Sequence, residues 1–301
     1  MGTLRDGRTW KLVLAYDGTE FHGWQVQSDR VTVQGELRAA IERVTGETVL
    51  PQGSGRTDAG VHALGQVASF DMYARIPETN FARALNRTLP AAIRVLSAEI
   101  APEGFHARHS AIRKTYEYRI FLGSICPPWL ARYVYGIEQS LDLEAMQSAA
   151  VQILGERDFT SFAASDPDLA ERTSILGEAA METKPGPRGN VRTIYSSEWG
   201  GPSQTLSGSW WQMGNWSATA YQEQSKLAAA GGFLIYRVRG NGFLHHMVRN
   251  LVGTFLEVGR GKLASNAMTA ILAARSRSQA GPTAPARGLW LAEVEYSENL
   301  S

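Results

Sequence analysis

The chain has 301 residues, enough for one large hydrophobic core or two of ordinary size. Apolar residues make up 44% and charged residues 20%, a balance that excludes disorder throughout and predicts a folded globular protein. Thirty Lys and Arg against 29 Asp and Glu leave a net charge of +1, so a nucleic-acid partner would have to be met by local patches rather than by a global field.

In chain order, Trp10 to Tyr16 reads as a strand, ended by the turn signal Asp17-Gly18. Thr32 is placed to cap a helix running to Thr45, because Leu37, Ala40, Ile41 and Val44 recur at helical spacing and Gly46 follows. Gln66 to Met72 predicts a strand, and Pro77 to Leu89 a helix that stops before Pro90. Ile93 to Ile100 and Lys114 to Leu122 predict two further strands. In the second, Tyr116, Tyr118, Ile120 and Leu122 share one face. Pro127-Pro128-Trp129 marks a break.

The later part opens with Asp142 as the cap of a helix to Leu154. Val191 to Trp199 and Phe233 to Arg239 predict strands. Phe243 to Val258 predicts a helix with Leu244, Val248, Leu251 and Phe255 on one stripe, and Gly259 past its end. A short helix near Asn266 to Ala274 and a strand from Leu289 to Tyr296 follow. Two stretches rich in Gly, Ser and Pro, Lys184 to Asn190 and Gly200 to Gly214, predict extended loops, with Trp210, Trp211 and Trp216 in or near the second. The mixture predicts an α+β fold whose helices pack on one face of a largely antiparallel sheet.

A single cysteine, Cys126, excludes an internal disulfide framework and fits a reducing compartment. No run approaches the roughly 18 apolar residues of a spanning helix, and Met1 to Arg8 carry no secretory pattern. A cytoplasmic location, with no membrane partner, is expected. Basic residues gather in two places: Arg108, Arg113, Lys114 and Arg119 against Glu117, and Arg237, Arg239, Arg249, Arg260 and Lys262 against Glu257. Spacing alone makes these solvated faces; the alternative is the lining of a cleft.

The densest unusual segment is Gly53-Ser54-Gly55-Arg56-Thr57-Asp58-Ala59-Gly60-Val61-His62-Ala63. Its glycines demand a tight turn or a close approach. A phosphate loop fails, because Val61 follows Gly60 where Lys is required and Asp58 stands where a dinucleotide loop needs glycine. What remains is a loop that presents Asp58, able to attack carbon or to stabilise positive charge in a glycosidic transition state. An ordinary turn, with Asp58 bonding its own backbone, is the alternative. The histidine pairs suggest no metal: His245 and His246 fall on the predicted helix, where adjacent side chains point about 100° apart.

Taken together, several segments resemble the TruA family of tRNA pseudouridine synthases. They are Tyr16-Asp17-Gly18-Thr19, Phe21-His22-Gly23-Trp24-Gln25, Thr32-Val33-Gln34, the Gly55–Ala63 segment, Phe105-His106-Ala107-Arg108, Tyr116-Glu117-Tyr118 and Asp158-Phe159-Thr160-Ser161-Phe162. Phe243-Leu244-His245-His246-Met247-Val248-Arg249-Asn250 and Thr283-Ala284-Pro285 with Gly288-Leu289 continue the set in family order. The departure is a loop-rich insertion around residues 173–232.

The resemblance implies two ferredoxin-like halves sharing the sheet, residues 1–111 with the Asp loop and residues 112–301. It implies isomerisation of uridine to pseudouridine in the tRNA anticodon stem-loop, at the family's tRNA positions 38–40, with no organic cofactor and no metal. It makes Asp58 the catalytic carboxylate, Arg249 its ion-pair partner, Tyr116 the ring that stacks on the flipped uracil, and Arg56 a phosphate or flipped-base contact. From spacing, Tyr116 and Tyr118 are equivalent; only the resemblance prefers Tyr116. A homodimer with tRNA across both subunits is implied as well. The alternatives are a non-catalytic RNA-binding protein on the same fold, which would have no need of Asp58, and a nucleotide-phosphate enzyme built on the Gly53 loop.

Overall fold

A computed structural model describes residues 7–164, 189–200 and 232–297. The first strand, β1 (Arg8–Tyr16), alternates, with Trp10, Leu12, Leu14 and Tyr16 in the main core and Val13 on the opposite side. Helix α1 (Val33–Thr45) begins where Thr32 Oγ1 accepts the Gly35 N–H at 3.2 Å and ends at Gly46 with φ 74°, both as the sequence predicts. A two-residue strand β2 (Gln52–Gly53), β3 (His62–Met72), α2 (Glu78–Thr88), β4 (Ile93–Ile100) and β5 (Ala111–Leu122) follow. Then come β6 (Tyr135–Ile137), α3 (Leu143–Ala150), β7 (Gly155–Asp158), β8 (Val191–Gly200) and β9 (Gly232–Gly240). Helices α4 (Met247–Gly259) and α5 (Ala267–Ala274) and strand β10 (Leu289–Tyr296) complete the described elements.

The main strands form one sheet in the order β4-β1-β3-β10-β5-β9-β8-β7, with β2 paired to β3 and β6 to β5. All pairings are antiparallel except β3 with β10 and β5 with β6. The fold is α+β, as expected. Apolar side chains of all five helices, among them Leu37, Phe81, Met146, Phe255 and Ile271, share one core with Leu12, Tyr118 and Tyr236. That places the helices on one face. On the opposite face a loop lays Phe105 and Ala107 against Val67. The last strand lies in the middle of the sheet, joined to β3 only through Trp290 opposite His62 and Leu291 opposite Ala63.

Three expectations need correction. Strand β3 begins at His62 rather than Gln66, because His62 pairs with β10 and Ala63 with both β10 and β1, across a register shift, and tertiary pairing rather than β-branched propensity extends the strand. The helix capped by Asp142 is α only to Ala150, and Val151–Ile153 tighten into a 3₁₀ turn. The helix placed at Phe243 starts at Met247. Strands β2, β6 and β7 are too short to carry a periodic signal. Trp210, Trp211 and Trp216, and most of the predicted insertion, lie outside the described residues; within it Val191–Gly200 is the expected strand. No helix among the described residues is long and apolar enough to cross a membrane.

Candidate active site

The segment between β2 and β3 is held from below by backbone contacts. Trp24 N–H donates to the Thr57 carbonyl at 3.0 Å, Gly60 N–H to the Phe21 carbonyl at 3.2 Å, and Val61 N–H to the Asp58 carbonyl at 3.1 Å. Gly23 has φ 85°, and a Cβ there would stand 2.6 Å from the Thr57 oxygen, so this approach admits glycine alone. Beneath the loop, Tyr16 Oη and Thr57 Oγ1 lie 2.8 Å apart. Gln66 Nε2 donates to the Gly55 carbonyl at 2.9 Å, and Ser54 Oγ donates to Gln66 Oε1 at 2.7 Å. Burial pushes the Tyr16 phenol up to about 12, so it stays protonated as part of the scaffold.

His62, at the base of the same loop, is fully buried. Its Nδ1 accepts the Gly18 N–H at 3.0 Å, while Nε2 lies 3.0 Å from the Arg132 carbonyl, which fixes the neutral tautomer with the proton on Nε2. Burial lowers its pKa further, against the pull of Asp17. The ring stacks on Trp290, with centroids 4.3 Å apart.

With the turn closed by backbone groups, the Asp58 carboxylate faces the second part of the chain. Arg249 Nη1 donates to Asp58 Oδ2 at 3.0 Å, with the two side chains 15% and 17% exposed. The guanidinium is itself fixed, since its Nε donates to the Ala284 carbonyl at 2.8 Å and Ala284 N–H returns to the Arg249 carbonyl at 3.1 Å. Asp58 and Arg249, 191 positions apart, meet as a pair.

His245 and His246 meet it too, which sequence reasoning missed. His246 takes the left-handed conformation, φ 58°, at the residue before α4. Both histidines therefore lie in a turn rather than on a helix, and the 100° splay does not apply. Their ring centroids are 3.9 Å apart. Nε2 of His245 lies 3.5 Å from Asp58 Oδ1, and Nε2 of His246 lies 3.3 Å from Oδ2. The ligand atoms of Asp58, His245 and His246 fall within 4.8 Å of one another. Burial first, then His245, Arg249 and Arg277, lower the His246 pKa against the pull of Asp58, which leaves that imidazole neutral at pH 7.

The two tyrosines that spacing could not separate differ in surroundings. Tyr118 is fully buried, its hydroxyl donating to the Pro285 carbonyl at 2.8 Å, and it belongs to the core. Tyr116 is also buried, at 7% exposure, and shares that core, but it packs edge-on against Phe243, with centroids 5.0 Å apart, and its hydroxyl lies beside the loop: a Cβ at Gly55 would stand 3.9 Å from it. Arg56 is exposed on the loop, two residues from Asp58. Lys114 was foreseen only as part of a basic stretch. Its ammonium donates to the Ser54 carbonyl, and burial, then Arg108 and Arg192, lower its pKa to about 8.

Several of the other clustered basic residues are paired within the fold, two to each carboxylate, which offsets half of their charge. Arg119 and Arg237 both bind Glu117 at 2.9 Å, and Arg113 and Arg239 meet Glu295. Arg260 and Lys262 share Glu257, at 2.9 and 3.0 Å. The proposed cleft lining is thus narrower than the sequence suggested.

A family model described as tRNA pseudouridine synthase matches residues 12–110 and 149–297, ranges that contain Arg56, Asp58 and Arg249 and pass over Tyr116. The chain is 43% identical over 290 residues to a tRNA pseudouridine synthase A of Solibacter usitatus, covering 96% of this chain and all of the relative. It is 42% identical over 289 residues to one of Moorella thermoacetica, covering 95% and 98%. With one of Halalkalibacterium halodurans it shares 40% identity over 279 residues, covering 92% and 89%.

Proposed function

The chain belongs to the tRNA pseudouridine synthase family, and from that membership we propose that it isomerises uridine to pseudouridine in the anticodon stem-loop of tRNA, with the Asp58 carboxylate as nucleophile. The observation that carries this reading is the Asp58–Arg249 pair, a carboxylate aimed by a glycine-framed turn at a guanidinium fixed from the other part of the chain.

The reaction breaks the bond from ribose C1′ to N1 of uracil and forms one from C1′ to C5; the C5 proton leaves and N1 gains one, so nothing is oxidised or reduced. A uracil inside a stacked helix cannot undergo this, and flipping it out costs a few kcal/mol. Asp58 attacks C1′ as the bond to N1 breaks, holds the sugar as an ester while the base turns, and is displaced from C1′ when C5 bonds to it. Tyr116, its ring at the loop, supplies the platform on which the base rests. Arg56 contacts the backbone beside the flipped nucleotide.

In the same reading the protein is a cytoplasmic homodimer, each tRNA crossing both subunits. Its halves, residues 1–111 and 112–301, bring Asp58 and Arg249 to one cleft. The test is incubation with unmodified tRNA, followed by mapping of pseudouridine through its chemical reactivity. Wild-type protein should modify the anticodon stem-loop, and Asp58→Asn should modify nothing while binding tRNA with little change. Turnover near wild type in that variant removes Asp58 from the chemistry; tRNA binding without any modification by the wild type points to an RNA-binding protein.

A further inference from the structure

We propose that Asp58, His245 and His246 form a binding site for a divalent transition-metal ion of the zinc type, and that the ion, seated on the carboxylate, holds the enzyme inactive. The inhibitory half of this proposal rests on the function proposed above; the binding half does not.

The spacing of the three groups is the first reason. The imidazole nitrogens stand 3.5 and 3.3 Å from the Asp58 oxygens. Hydrogen bonds from N–H to oxygen are usually about 2.7–3.2 Å, so neither contact is a good one. Two ligands on a tetrahedral ion with bonds of about 2.0–2.1 Å stand roughly 3.4 Å apart. The two distances run to different oxygens of Asp58, and one ligand atom from each of the three residues lies within 4.8 Å of the others, close enough for a small adjustment to seat one ion among them.

Chemistry is the second reason. Two imidazoles and a carboxylate are a donor set for zinc, cobalt or nickel. The buried Nδ1 of His245 has no hydrogen-bond partner among the described residues, so nothing fixes its tautomer and Nε2 is free to offer its lone pair. All three side chains keep some exposure, between 17% and 30%, which leaves an entry path and room for water to complete the coordination. The left-handed turn at His246 is what brings both rings to one carboxylate; a helix through this point would splay them. The opposing feature is Arg249, whose charge sits 3.0 Å from Oδ2 and weakens the site. The ion is therefore expected to bind reversibly and to be displaced by substrate or chelator.

The full chain, freed of metal, is titrated with Co²⁺ for its visible d–d bands and with Zn²⁺ by calorimetry, without RNA. One saturable site is expected. His245→Ala and His246→Ala should each weaken it at least about tenfold, while a His106→Ala, His109→Ala double variant, which removes the other close histidine pair, should leave it intact. Arg249→Met should tighten binding by about tenfold or more. Zn²⁺ should inhibit pseudouridine formation in the wild type, with EDTA restoring it. Affinity unchanged by both single histidine variants, or weakened in Arg249→Met, overturns the proposal. Metal binding as described in a protein with no isomerase activity counts for the site and against the proposed function.

Discussion

Replacing Lys114 with methionine separates what this residue does for the fold from what it does for the loop. Its ordinary pKa is 10.5 and burial lowers it to about 8. Between those values the unfolded chain binds the proton and the folded chain does not. Stability therefore rises with pH from about 8 to 10.5, and below 8 the cost of the buried charge is present in full. At 1.36 kcal/mol per pKa unit the ceiling is about 3 kcal/mol. The side chain keeps partial exposure, and allowing for solvent screening leaves roughly 1–2 kcal/mol. Urea unfolding of wild type and Lys114→Met at pH 7 and pH 10 should show wild type gaining that amount on the variant as pH rises. Turnover at pH 7 should nonetheless fall in the variant, because the ammonium that tethers the Ser54 carbonyl, and with it the loop carrying Asp58, is gone. Parallel stability profiles for the two proteins would refute the buried charge, and unchanged turnover would refute the tether.

Tyr116→Phe should keep the platform, whereas Tyr116→Ala should lose about 1–3 kcal/mol of stacking, read as a fall in turnover; equal activities would make the ring mere packing. Gly23→Ala puts a Cβ 2.6 Å from the Thr57 oxygen in a left-handed conformation, and should cost about 2 kcal/mol or more in thermal unfolding and displace the Asp58 turn. Affinity for tRNA should fall with salt at a slope of about −0.9 per phosphate neutralised. Arg260 and Lys262 are occupied by Glu257, so an Arg260→Ala, Lys262→Ala double variant should keep the wild-type slope; a slope flattened by about two units would show both side chains on phosphates.

What could be read in advance follows from how far each signal reaches along the chain. Helix α1 announced itself through a cap at Thr32, a periodic stripe and Gly46, all local and all found in place. The sheet's composition was legible from alternation, but the position of β10 in its middle was not, because pairing partners are set by tertiary packing. Asp58 stood out because a glycine-framed acid is a local feature. The histidines beside it are splayed only on a helical geometry that His246 does not adopt, and a positive φ at a residue other than glycine leaves no mark on sequence. The basic stretches misled in the opposite direction: Glu117 and Glu295 were visible, yet that Arg237 meets Glu117 and that Arg113 and Arg239 meet Glu295 depends on register across the sheet.

The Asp58–Arg249 pair shows how small residues remote from the chemistry set its geometry. A Cβ at Gly253, one turn along α4 from Arg249, would stand 1.6 Å from the Pro282 oxygen, and one at Gly281 would stand 2.8 Å from Thr254 Cα. Helix and following chain can approach this closely only because both positions are glycine. That contact brings Ala284 against Arg249, where the two exchange hydrogen bonds, one through the backbone and one through Nε. With Nε committed, the guanidinium plane is fixed and Nη1 is the nitrogen that points at Asp58. A lysine at position 249 could carry the charge but not both contacts, because a single ammonium cannot bind the Ala284 carbonyl and aim at the carboxylate with the same rigid fork. The pairing of the two chain segments is thus written as much in Gly23, Gly253 and Gly281 as in the charged groups themselves.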